Sequence, residues 1–338
     1  MTAFVLACSA GWLDEAQAIY AEGAPHADAL YRGIRFACMN NHLPMARWLR
    51  TVYDFFDFCR DGLFLIACFN DNLDMAEWLV DEGCDVHCQD MDGSSAMFRA
   101  CCRGSLRMVD WLYGKGATNL RVTTHSGLSL LWGACTSDNL PLCKWLYERC
   151  PSITSVGEPP LLAACKRGKL DTVRWLLPHS NLEHANIDGH TALWFACYFG
   201  HADVAKWLVE SGAEISDYAT LSPVRAACLR GSVELMKFFL ERGYPPGRLE
   251  LAAAVEGENV SMLEWLIQEI GLQRMEVRQM TKTMLQYRFT RTLRAHASFQ
   301  VFLRGRRGDD LVRKLIAEFV GVLCGRRLRN VRECLAFW

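Results

Sequence analysis

Between Asp188 and Gly212 two short apolar faces are separated by a polar turn. Leu193, Ala196 and Cys197 fall at helical spacing, Gly200 interrupts, and Val204, Ala205, Trp207 and Leu208 resume the spacing before Gly212. Apolar residues three and four apart line one face of an α-helix, so this stretch predicts two short helices, each closed by a glycine.

The pattern recurs along the chain. An Ala-Cys pair places its cysteine at Cys8, Cys38, Cys68, Cys101, Cys135, Cys165, Cys197 and Cys228, in steps of 30 to 34 residues. Ten residues after the cysteine stand Trp48, Trp78, Trp111, Trp145, Trp175, Trp207 and Phe238; a ninth unit has Trp265 after Val255, and the first has Ala18. A fixed period of this length signals stacked helical repeats. The position three after the cysteine holds Gly11, Gly104, Gly168, Gly200 or Gly231, and elsewhere Asn41, Asp71 or Asp138. All are residue types that tolerate a left-handed backbone. Gly23, Gly83, Gly116, Gly212 and Gly243 are predicted to close the second helices in the same way. The tryptophan column, with leucines such as Leu112 and Leu208 beside it, is expected to form a buried ladder against the neighbouring repeat rather than a row of ligand sites.

These units resemble ankyrin repeats, which are built from a β-turn and two antiparallel helices. The best match is Gly189-x-Thr191-Ala192-Leu193, similar to the family's Gly-x-Thr-Pro-Leu-His; Gly93-x-Ser95, Gly127-x-Ser129 and Ser222-Pro223 keep part of it. Trp194, Trp132, Phe98 and Arg225 stand where the family has histidine, and Pro159-Pro160 begins a helix where threonine-proline would sit. The expected fold is an all-α solenoid of about nine such repeats over residues 1–276, followed by a basic helical segment over 277–338. The ninth unit, after Tyr244-Pro245-Pro246-Gly247, lacks a β-turn extension and is expected to cap the array.

Composition fits this reading. The chain has 338 residues, 51% of them hydrophobic and 22% charged, as in a folded domain. No stretch approaches about 18 uninterrupted apolar residues, so no membrane span is expected. Met1 to Cys8 superficially resembles a lipoprotein cleavage site, but it has no basic start, and its Ala-Cys pair recurs in later units; no secretory signal is expected. Sixteen cysteines without such a signal suggest free thiols and an intracellular, cytoplasmic or nuclear setting. Eight of them occupy the small inner position of the helix pair. The run Cys84-Asp-Val-His-Cys88 offers soft ligands but no partner pair at a defined spacing, so no metal is expected there.

No catalytic constellation emerges: there is no phosphate-cradling glycine loop, no Gly-x-Ser-x-Gly elbow and no His-Glu-x-x-His helix. The protein is expected to be non-enzymatic, to need no cofactor and to be monomeric. The resemblance implies binding of a protein partner through the concave side, at the residues just after the Ala-Cys pairs and at the hairpin tips. Here these are Phe69, Arg103, Lys166, Arg167, Tyr198, Phe199, Leu229 and Arg230, with Met91, His125, Ile187 and His190 at the tips. Basic side chains beside aromatics suit a partner with acidic and apolar groups.

The tail differs from the array. Residues 1–276 hold 23 Lys/Arg against 34 Asp/Glu, whereas 277–338 hold 14 against 4. Arg288, Arg291 and Arg294 share one helical face, and Asp309-Asp310 opens an amphipathic helix carrying Leu311, Leu315, Ile316 and Phe319. With Leu328, Val331, Cys334 and Trp338, the segment 309–338 loosely resembles an F-box, without that motif's opening Leu-Pro. The resemblance implies a substrate adaptor that recruits ubiquitin-ligase components. The other readings of the tail are a cap on the last repeat and, through its charge, a contact with nucleic acid or an anionic membrane; nucleic acid is not the expected partner.

Overall fold

A computed structural model describes residues 3–53, 56–216 and 221–257, together with 259, 261, 262, 265 and 266. Its helices follow the predicted pairs: α1 (Ala3–Ala10) and α2 (Leu13–Glu22), α3 (Ala27–Met39) and α4 (Leu43–Val52), α5 (Phe56–Phe69) and α6 (Leu73–Asp81), α7 (Ala96–Arg103) and α8 (Leu106–Gly114). They continue with α9 (Leu130–Thr136) and α10 (Leu140–Arg149), α11 (Pro160–Arg167) and α12 (Leu170–Leu176), α13 (Ala192–Phe199) and α14 (Ala202–Glu210), α15 (Pro223–Arg230) and α16 (Val233–Glu241), and α17 (Arg248–Glu256). Extended structure among the described residues is limited to the isolated bridges Gln89 to Ser95 and Thr123 to Ser129 at the base of two hairpin tips. The fold is all-α.

The described residues divide into two compact units between Ala192 and Leu193. The boundary expected at 276/277 lies outside the described residues. In the first unit the first helices of successive repeats pack side by side, α1 on α3, α3 on α5, α5 on α7, α7 on α9 and α9 on α11; in the second, α15 packs on α17. The Ala-Cys pairs make this close approach possible, and all eight cysteines are fully buried. A Cβ on Gly33 would come within 3.0 Å of the Cys8 sulfur, so even alanine would press on the neighbouring helix there.

The turn between paired helices has one backbone solution. The residue three after the cysteine has positive φ in all eight repeats, from 70° to 80° at the five glycines and 59°, 62° and 66° at Asn41, Asp71 and Asp138. This conformation lets the amide of Gly104 reach the Ala100 carbonyl at 3.0 Å and close α7. The following residue caps the second helix: Ser105 Oγ accepts from Met108 N and Asn139 Oδ1 from Leu142 N, both at 3.0 Å. Ser95 and Ser129 cap the first helices α7 and α9 in the same way, each accepting from the amide three residues on.

Side chains of these turns also tie repeats together. Asn40 Nδ2 donates to Ser9 O at 2.7 Å, and a His42 ring nitrogen lies 3.0 Å from the same carbonyl. Asn72 Nδ2 donates to Cys38 O at 2.8 Å and Asn139 Nδ2 to Gly104 O at 2.6 Å, while in the second unit Asn259 Nδ2 donates to Leu229 O at 2.6 Å. Each bond satisfies a carbonyl left open near the end of a first helix.

Two expectations need correction. Gly23 has φ 169°, an extended rather than left-handed backbone. The chain runs through Ala24-Pro25 directly into α3 without a hairpin tip, and a residue two before proline has no need of the left-handed turn. The tryptophans are also less deeply placed than the ladder reading implied. Trp78, Phe238 and Trp265 are buried, but Trp48, Trp111, Trp145, Trp175 and Trp207 are half-buried, whereas Leu49, Leu79, Leu112, Leu146, Leu176 and Leu208 are fully buried. The leucines form the core within each unit. The indoles bridge repeats at its edge: Tyr113 meets Trp145 and Tyr147 meets Trp175 edge-on, at 5.4 and 5.7 Å between centroids. Cations cover outer faces of the column, with Arg149 3.9 Å from the Trp145 centroid and Arg242 3.8 Å from that of Phe238.

Candidate interaction surface

The positions singled out in the sequence share one structural address. Phe69 ends α5, Arg103 ends α7, Lys166 and Arg167 end α11, Phe199 ends α13 beside Tyr198, and Arg230 ends α15 beside Leu229. All lie in the last turn of a first helix, just before the left-handed turn. Positive side chains here also meet the negative end of the helix dipole, a benefit independent of any partner.

In the first unit, Phe69 is 41% exposed and Arg103, Lys166 and Arg167 are exposed. The guanidinium carbon of Arg99 sits 5.9 Å from the Phe69 ring centroid, and its Nη2 pairs with the Asp90 carboxylate. Asp90 in turn organises the hairpin tip, its Oδ1 accepting from Ser94 N at 2.8 Å and Asp92 N at 3.0 Å. Burial pushes the Asp90 carboxyl up, but the Arg99 hydrogen bond and the two backbone amides outweigh it and hold the group below its ordinary value. Between these arginines, burial pushes the Cys102 thiol up to about 11 against the opposing pull of Arg99 and Arg167.

The second unit gathers its residues more tightly. Arg230 lies over Tyr198, 5.6 Å from guanidinium carbon to ring centroid. On the same helix the Tyr198 ring stacks on Trp194, with centroids 4.7 Å apart and planes 10° from parallel. Phe195 and Phe199 make a second stacked pair at 6.4 Å and 12°. Tyr198, Phe199 and Trp194 are half-buried, and Arg230 is exposed.

The tip residues stand clear of the core, with Met91 97% and Ile187 93% exposed. His125 is exposed and its backbone amide donates to Asp92 O at 2.9 Å, joining consecutive tips; His190 is half-buried, and burial pushes its imidazole below the ordinary value against the opposing Asp188 charge.

Trp194 and Arg99 were not among the expected binding residues. Both had a sequence signal: each lies four residues before a selected position, Tyr198 and Arg103, on the same helix. Arg225, at the family's histidine position, instead pairs with Glu256 at 3.1 Å. The tail readings, including the F-box-like segment 309–338, fall outside the described residues, and no described helix is long and apolar enough to cross a membrane.

A family model described as ankyrin repeats (3 copies) matches residues 63–156 and 131–219. The mouse protein fem-1 homolog A-like is 35% identical over 99 residues, 27% of this chain but only 15% of that protein. The Escherichia coli ankyrin repeat protein YahD is 26% identical over 173 residues, 48% of this chain and 86% of its own. The crystal structure of the human ASB11 ankyrin repeat domain aligns over 53% of this chain and 83% of its own, at 24% identity and a TM-score of 0.46.

Proposed function

We propose that this chain is an ankyrin-repeat protein, a reading supported by the repeats matched across residues 63–219, and that it is a non-enzymatic module that binds a protein partner through the ends of its first helices and the hairpin tips. The observation that carries this reading is the stack of Arg230 on Tyr198 on Trp194. Tyrosine, tryptophan and arginine are the side chains that concentrate binding energy at interfaces. Held against one another, they lose little rotamer freedom on association. The exposed cations Arg103, Lys166 and Arg167, with Phe69 in the same unit, favour a partner segment carrying carboxylates next to apolar side chains.

The test is the double variant Tyr198→Ala/Arg230→Ala, measured by titration against the principal partner isolated from the native cell. Affinity should fall at least about tenfold, the loss of roughly 1.4 kcal/mol, with the helical signal intact. Unchanged affinity would exclude these positions.

A second reading, a substrate adaptor of a cullin-type ubiquitin ligase, rests on the F-box-like spacing of residues 309–338. Affinity capture with the whole chain and with a truncation after Glu276 separates the two. Ligase components recovered only by the whole chain would support the adaptor; the same partners with both, and no ligase, would leave the interaction module alone.

A further inference from the structure

The loop that leads from α6 to the first hairpin tip folds back on α5 and brings three metal-binding side chains together. Cys84 is buried behind the helix end, its amide donating to Leu79 O at 3.0 Å. The next turn, closed by Cys88 N to Asp85 O at 3.0 Å, returns the chain so that Cys88 lies half-buried beside Cys84. From α5, Asp61 faces both: its Oδ1 accepts from the Cys84 thiol at 3.1 Å, and its backbone oxygen accepts from the Cys88 thiol at 3.8 Å. The two sulfurs and a carboxylate oxygen all lie within 4.8 Å of one another. The neighbouring Arg60 secures the approach, Nη1 donating to Glu82 O at 2.9 Å.

We propose that Asp61, Cys84 and Cys88 form a binding site for a thiophilic divalent cation, zinc being the fitting ion. In a tetrahedral site with sulfurs about 2.3 Å from zinc, donor atoms stand about 3.5 to 3.8 Å apart, so the three groups need only sub-ångström to ångström adjustments. Two thiolates and one carboxylate favour zinc over magnesium or calcium, which take oxygen ligands. The fourth position is left to water. Binding releases the two thiol protons to solvent and replaces the Cys84 to Asp61 hydrogen bond with bonds to the metal. The consequence is local order: the site lies just ahead of Gln89, which pairs with Ser95 at the base of the tip that presents Met91, so a bound ion would clamp that tip to α5.

Cobalt(II) titration of the full reduced chain tests this directly. One equivalent should give the near-ultraviolet thiolate-to-cobalt charge-transfer band, bleached by added zinc. The band should vanish in Cys84→Ser and Cys88→Ser and persist in Cys150→Ser, whose sulfur lies outside the cluster. Asp61→Asn should weaken binding by more than the roughly tenfold to hundredfold that loss of a ligand's hydrogen-bond partner costs. Because a serine variant could unfold, the unsubstituted chain supplies an independent readout: zinc should slow alkylation of Cys84 and Cys88, mapped by mass spectrometry, by at least about tenfold without slowing Cys102 or Cys150. Absence of the band, its survival in the Cys84→Ser/Cys88→Ser double variant, or equal alkylation with and without zinc would overturn the site.

Discussion

Asn72 donates its side-chain amide to the carbonyl oxygen of Cys38 at 2.8 Å, joining the turn of one repeat to the helix end of the repeat before it. The same amide lies 3.0 Å from Met39 O, so one side chain serves two carbonyls that no helical partner satisfies. Asn72→Ala removes both contacts and the side chain that seats the turn. It should lower stability by about 1 kcal/mol, and by up to about 3 kcal/mol if the carbonyls stay dry. Urea denaturation should show a lower midpoint with an unchanged slope.

Three glycines separate backbone strain from collision. Gly200 has φ 77° with nothing within 4 Å of a would-be Cβ, so Gly200→Ala should cost only the left-handed penalty of about 1 kcal/mol. Gly157 has φ 67°, and its Cβ would fall 2.0 Å from the Gly127 carbonyl oxygen; Gly157→Ala should therefore be clearly worse. Gly23 is extended and open, so Gly23→Ala should be neutral or stabilising by a few tenths of a kcal/mol through the unfolded chain. Thermal melting of the three variants should reproduce this order, and a destabilised Gly23→Ala would contradict the extended geometry.

The pairing of Asp90 with Arg99 predicts an acid-sensitive hairpin tip. A carboxyl whose native pKa is depressed contributes stability above its unfolded value of about 3.9, and the contribution is lost as pH falls through the native value. Between pH 5 and 3 the parent should therefore lose more stability than Asp90→Asn, whose amide does not titrate. Equal acid slopes in denaturant melts would show that the pair contributes nothing.

The repeat register was readable from the sequence because the close helix contact and the left-handed turn each admit few residue types. Cys8 to Cys228 and Gly11 to Gly231 are small or turn-tolerant for reasons local to one repeat. The depth of the tryptophans was not readable. Trp145 lies at the edge between two second helices, where Tyr113 of the preceding repeat and Arg149 of its own share the exposed face, and a period reports recurrence without burial. Tyr198 and Arg230 followed from the register, but their contact depends on how α13 and α15 face each other. Asp61 was beyond reach: it lies 23 residues before Cys84, and only the fold of the loop onto α5 brings carboxylate and thiols together.

The most direct test of the interaction surface is site-specific photocrosslinking in the native extract. A benzophenone side chain would be placed in turn at Arg167 and Arg230, at the ends of first helices, and at the exposed Asp171 and Asp203 on second helices. Partner adducts should form from Arg167 and Arg230 and be absent from Asp171 and Asp203. Adducts only from Asp171 and Asp203 would place the partner on the second helices and contradict the account.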